Sequence, residues 1–189
     1  MQDAIAAPRI GRVVRRPLSR RPEAALVRAA QRGSVEAVDE LFRRHWPSAH
    51  RAAFLVVHDA AAAEDIAQEA FLAALRALDR FDRRRPLGPW LHRIVVNRAI
   101  DWTRARALRA ESAADAAPEA PAADAPEPFD DTILTALADL GPEHRAVVVL
   151  RHLLGYTPGE IAAMLELPRG TVNSRLRRAL DALAEELES

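Results

Sequence analysis

Asn173, Ser174, Arg177 and Arg178 supply an amide, a hydroxyl and two guanidiniums, and at about 100° per residue they share the outer side of one helix. Val172, Leu176, Ala179 and Leu183 fall on the other side as an apolar stripe that must face a core. Amide and guanidinium groups on a presented helix suit base edges in a DNA major groove and the phosphates beside them. An ordinary amphipathic helix with a solvated Arg face would show the same stripe.

Two further groups could do chemistry. In the segment 60–80, Asp65, Gln68, Glu69, Leu72 and Arg76 line one face, opposite a seam of Ala67, Ala70, Phe71, Ala74, Leu75 and Leu78. A leucine in a polar stripe, aimed away from its own core, fits a docking surface for another protein, although single exposed leucines are common. The loop 82–89 then sets Arg83, Arg84 and Arg85 before a Pro-bounded bend, and the helix after it carries Arg93, Asn97, Arg98 and Arg104 beside Trp90 and Trp102. Cations flanking aromatic rings suit single-stranded or distorted nucleic acid. Core packing is the competing role for both tryptophans, and the favoured one for Trp90, while Ile94, Ala99 and Ile100 pack inward.

Other chemistries find no residues to carry them. The chain has no Cys, hence no thiolate metal site, disulfide or thiol nucleophile. Six His are scattered, and His45 and His50 are spaced so that they do not share a helical face as a metal pair would. There is no phosphate-cradling Gly loop and no nucleophile–base grouping, so neither cofactor, metal nor enzymatic activity is expected. No run reaches the roughly 18 apolar residues of a membrane span. Arg15-Arg16 and Arg20-Arg21 imitate an export signal without the apolar core that must follow. Cytoplasmic residence is the expectation.

The elements that position these groups are helical. In a chain of 189 residues, with all 27 basic residues Arg and a net charge of zero, the charges are unevenly placed. Residues 1–21 carry +5, 22–110 carry +4, 111–131 carry −7 and 132–189 carry −2. The spacing predicts helices over 23–32, 34–57 with a disturbance at Pro47, 60–80 and 89–108, then 130–140, 142–153, 158–166 and 169–187. Val147-Val148-Val149-Leu150 has strand-like composition but lies in a helical frame opened by Gly141-Pro142-Glu143. Thr157, Pro158 and Glu160 form an N-cap, a first-position proline and a capping box. With the turn at residues 167–170 they give a helix-turn-helix. The predicted fold is all-α: a disordered Arg-rich arm (1–21), a helical domain (22–110), an acidic disordered linker (111–129) rich in Ala and Pro, and a second helical domain (130–189).

Three ordered motifs, residues 63–71, 90–101 and 170–179, resemble the extracytoplasmic-function (ECF) group of bacterial sigma factors. The resemblance covers about 23–108 and 130–187. It implies that the first domain is sigma region 2 and the last is region 4. Asp65, Gln68, Glu69 and Leu72 would then dock on the coiled coil of the polymerase β′ subunit. Arg83, Arg84, Arg85, Arg93, Asn97 and Arg98 would capture the unpaired non-template strand of the −10 element, and Asn173, Ser174, Arg177 and Arg178 would read the −35 element. The implied partners are core RNA polymerase, through β′ and the β subunit, promoter DNA and an anti-sigma factor. The linker would thread a basic channel of the polymerase. The chain departs from the family at Leu87, where an aromatic is usual, and at Arg177, where an apolar residue occurs elsewhere. A free-standing helix-turn-helix regulator that recruits or blocks polymerase is the alternative of a different class.

Overall fold

The computed structural model describes residues 21–112 and 131–187. All but residue 21 of the Arg-rich arm and all but residues 111 and 112 of the acidic linker expected from the sequence lie outside the described residues. Among those described there are helices and no strand. The first half holds α1 (Glu23–Ala30), α2 (Val35–Val57), α3 (Ala60–Ala77) and α4 (Leu87–Ser112). The second holds α5 (Asp131–Asp139), α6 (Pro142–Val148), α7 (Pro158–Leu165) and α8 (Arg169–Leu187).

Local chemistry sets the boundaries. Ser34 caps α2 by accepting from the Ala37 N–H at 3.2 Å, and Asp59 caps α3 by accepting from the Ala62 N–H at 3.0 Å. The Asp59 carboxylate also receives Arg106 of α4 at 2.9 Å, tying the start of α3 to the helix packed beside it. Thr157 and Glu160 form the expected capping box at the start of α7. Helix α2 runs unbroken through Pro47, where the sequence suggests a disturbance. Extensive packing of α2 against α3 and α4 offsets the i→i−4 bond to the Arg43 carbonyl that Pro47 cannot make. The segment 60–80 ends as α-helix at Ala77 and tightens into a 3₁₀ turn, Leu78–Arg80. The helix predicted over 142–153 passes into a wider π turn at Val149–Leu153, with Leu154 N–H bonded to the Val149 carbonyl.

Two apolar clusters hold the chain together. The smaller joins Leu26, Val27 and Ala30 of α1 to Leu41, Leu78, Phe81 and Leu87. The larger is continuous across both halves: Phe54, Phe71, Leu91 and Val95 of the first pack in one core with Leu137, Val147, Leu150, Ile161 and Val172 of the second. Val147 to Leu150 is wholly buried and helical, as its frame implies. One residue departs from the projected seam of α3. Leu75 is 40% exposed, because it lies at the rim of an apolar groove between α2 and α3 that no part of the described chain covers.

Candidate nucleic-acid and polymerase interfaces

Helix α8 presents the amide, hydroxyl and guanidinium groups of Asn173, Ser174, Arg177 and Arg178. Val172 and Ala179 are fully buried and Leu176 nearly so, while Asn173, Arg177 and Arg178 are exposed and Ser174 is half-buried. Ser174 Oγ donates to the Thr171 carbonyl at 2.9 Å, which draws its hydroxyl back toward the first turn of the helix. Arg177 and Arg178 make no ion pair among the described residues and are available to phosphates.

On α3, Asp65, Gln68, Glu69 and Leu72 are all exposed, Leu72 by 51%. Leu75 and Phe42, which line one apolar groove with Phe71, extend the stripe as an apolar strip, exposed by 40% and 37%. Leu75 and Phe42 are the part of this surface that helical projection alone misses. Glu69 also pairs with Arg98 of α4 at 2.6 Å, so the candidate docking face adjoins the candidate −10 face.

The loop carrying Arg83, Arg84 and Arg85 is held at its foundations by residues that no motif names. Phe81 and Leu87 at its two ends are buried in the smaller core. Gln31, at the C-cap of α1, donates to the Leu78 and Phe81 carbonyls at 2.9 and 3.0 Å, and the Leu87 N–H donates to Glu23 at 2.7 Å. Within the loop, the Asp82 carboxylate accepts from the Arg84 N–H at 3.0 Å and its carbonyl accepts from the Arg85 N–H at 2.9 Å. The three guanidiniums stand exposed at the tip. Trp90 is half-buried and packs on Phe81, ring centroids 4.7 Å apart, between the two clusters. Trp102 is also half-buried, with the Arg106 guanidinium 5.2 Å from its ring centroid.

Arg93 and Asn97, the remaining −10 candidates, are partly exposed and lie beside the second half. Arg93 forms an ion pair with Glu166 at the end of α7. Asn97 lines a cleft with Leu165, Leu167 and Arg175 of the second half. Arg85, Trp90 and Arg93 share a larger cleft of about 700 Å³ with Glu160, Ala163 and Met164 of α7.

Between the halves runs a partly buried polar chain. Tyr156 Oη and His92 Nδ1 are 2.7 Å apart, His92 Nε2 and Ser48 Oγ 3.0 Å, and Ser48 Oγ donates to the His45 carbonyl. Because the serine proton is committed to that carbonyl, His92 Nε2 carries a proton toward Ser48 and the tyrosine hydroxyl donates to Nδ1. Burial, followed by the neighbouring His45, lowers the His92 pKa to about 4, and burial, with Glu160 and Glu23, raises that of Tyr156 to about 12. Both are therefore neutral at pH 7. Arg145 of α6 is 6% exposed and reaches across the halves. Its guanidinium donates to the Val56 carbonyl and His58 Nδ1 at the end of α2, and to the Ala138 and Leu140 carbonyls of its own half. A cation among helix-end carbonyls is favourably placed against the helix dipole. Burial lowers its pKa to about 10, which leaves it charged.

The Sigma-70 region 2 family model matches residues 41–109, and the Sigma-70, region 4 model matches residues 130–183. The ECF RNA polymerase sigma factor SigM of Mycobacterium tuberculosis is 38% identical over 166 residues, covering 87% of this chain and 84% of that protein. The RNA polymerase sigma-E factor of Streptomyces coelicolor is 35% identical over 157 residues, covering 82% and 88%. The solved structure of CnrH with the cytosolic domain of CnrY superposes with a TM-score of 0.66 at 30% identity, covering 88% of this chain and 97% of that one. The sigma factor RpoE of Bartonella quintana, solved with the anti-sigma factor NepR, shares the fold at a TM-score of 0.69 and 24% identity, covering 82% and 98%. With the region 2 match taking in most of α2, all of α3 and most of α4, and the region 4 match taking in α5 to α7 and most of α8, the chain belongs to the extracytoplasmic-function group of the sigma-70 family of RNA polymerase sigma factors.

Proposed function

We propose that this chain directs initiation through three faces. Asp65, Gln68, Glu69 and Leu72, extended by Leu75, dock on the β′ coiled coil of core polymerase. The 83–85 loop with Arg93, Asn97 and Arg98 captures the unpaired −10 strand. Asn173, Ser174, Arg177 and Arg178 enter the −35 major groove. The domain limits are 22–110 for region 2 and 130–189 for region 4, joined by an acidic connector. The chain acts in the cytoplasm, without catalysis of its own. An anti-sigma factor is a further partner, supported by CnrH having been solved with a second protein's cytosolic domain.

The observation that carries this reading is the placement of all four α3 residues on open surface around an apolar strip. Surface carboxylates flanking apolar side chains are what a polar-rimmed protein interface requires. The test is transcription from a linear promoter with purified core polymerase and this chain as the added factor. Initiation is expected unaided, whereas a free-standing regulator would need another sigma factor. A variant carrying Asp65→Arg and Glu69→Arg is expected to keep its helical content and lose about tenfold or more in core-polymerase affinity. Unchanged affinity would remove the docking assignment.

A further inference from the structure

A cleft of about 440 Å³ opens where α2 faces the π turn of the second half, and it shares no residue with the docking, −10 or −35 faces. Trp46, Pro47, His50 and Arg51 form one wall, and Leu153 and Leu154 the other. Small-molecule sites enclose about 300–1,000 Å³ between largely apolar walls that carry a few polar groups. This cleft has that size and that make-up. No carboxylate is among its lining residues, so the Arg51 guanidinium gives it a positive character.

Both walls are held from behind. The Trp46 ring is stacked between Phe42 and His50, at centroid distances of 4.8 and 5.6 Å. With both faces covered, it meets the cleft along its edge, the electropositive part of an aromatic ring. Opposite, Leu153 closes the π turn, and the Leu154 N–H donates to the Val149 carbonyl at 3.1 Å. The Tyr156 N–H donates to the Leu150 carbonyl at 3.0 Å, and the Arg151 guanidinium to the Tyr156 carbonyl at 3.1 Å. Turns of this width recur at functional sites.

The chemistry of the two walls selects one class of ligand. Pro47, Leu153 and Leu154 favour a flat apolar body that they remove from water. A guanidinium pairs in fork geometry with a carboxylate or a phosphate, and the His50 imidazole can donate a further hydrogen bond. A neutral ring would forgo the ion pair, and a bare anion would leave the apolar walls uncovered. We propose that this cleft binds a small planar anion, an aromatic ring carrying a carboxylate or phosphate group, with Arg51 and His50 at the charged group and the ring between Pro47 and the two leucines.

Amide NMR of the isotope-labelled full chain, titrated with anthranilate as the probe, reads the site directly. Saturable shifts are expected at the Trp46 indole N–H and the Leu153 and Leu154 amides. The dissociation constant should be about 1 mM or below, as suits a ligand of about ten non-hydrogen atoms. Aniline, the same ring without the charge, and inorganic phosphate, a charge without the ring, should each bind at least about tenfold more weakly. Arg51→Gln should weaken anthranilate about 5- to 10-fold and leave aniline unchanged. Pro47→Glu, at an exposed helix position where a backbone N–H is regained, should act in the same direction by setting a carboxylate on the wall. It keeps the test decisive should Arg51→Gln unfold the chain. Shifts that fail to saturate by about 10 mM or scatter over the surface, aniline binding as tightly as anthranilate, or an anthranilate affinity indifferent to Pro47→Glu would each overturn the site.

Discussion

Gln31 and Glu23 belong to no nucleic-acid motif, yet between them they hold both ends of the arginine loop. The Gln31 amide spans carbonyls 47 and 50 residues away, a separation over which local sequence grammar has no reach. Such residues are invisible to motif reading, because their role depends on where α1 packs and not on what precedes or follows them. Gln31→Ala would leave the part-buried Phe81 carbonyl without its side-chain donor and the Leu78 carbonyl with only the Phe81 N–H, at a cost of about 1–3 kcal/mol. The expected result is a lowered urea midpoint together with weaker capture of the −10 strand, while affinity for core polymerase stays near wild type because α3 is untouched. If midpoint and strand binding are both unaltered, the 3₁₀ turn and the buried Phe81 suffice to hold the loop.

Elements were legible wherever a cap and a period agreed. The capping box at Thr157 and Glu160, the buried stripe of Val172, Leu176 and Ala179, and the exposed face of Asn173 and Arg177 follow from local rules that packing does not override. The period is less informative where a helix has neighbours on several sides. Leu75 projects with Phe71 and Leu78, but the groove beside it is left open, and projection cannot tell an occupied groove from a vacant one. Helix α8 also separates two kinds of DNA contact in the polymerase complex. Arg178→Ala should weaken promoter binding about equally on all −35 sequences and reduce the slope of log affinity against log salt by about 1. Asn173→Ala should instead flatten discrimination at one base pair by about 1–3 kcal/mol. Competition titrations against single-base −35 variants at several salt concentrations would distinguish them, and identical behaviour of the two variants would contradict the division of labour along the helix.

For the whole molecule, composition and motif order revealed two helical heads but not that they share a core. The contacts that join them link Arg145 to Val56, His92 to Tyr156 and Arg93 to Glu166, across 89, 64 and 73 residues, and each such residue also has an adequate reading as local surface or core. The seam has a pH dependence that follows from its two histidines. His58 faces the Arg145 guanidinium, the Phe54 ring and the backbone of Leu134, with burial and then Arg145 lowering its pKa to about 4. His92 faces Tyr156, Ser48 and His45, with Glu23 behind His45, and is lowered to about 4. Opening returns both toward the ordinary 6.5, so between pH 6.5 and 4 the open form binds more protons than the closed. Closure is then fully stable above pH 6.5 and is lost as pH falls through that window, by up to roughly 3 kcal/mol for each histidine. Energy transfer between dyes on cysteines introduced at Arg32 and Ala182, both exposed, should fall between pH 6.5 and 5. His58→Asn, which tolerates the left-handed backbone and carries no titrating ring, should move that fall to lower pH. Transfer that stays flat down to pH 5 would mean that neither imidazole is released when the heads part, and a His58→Asn curve that coincides with the parent's would mean that His58 is not.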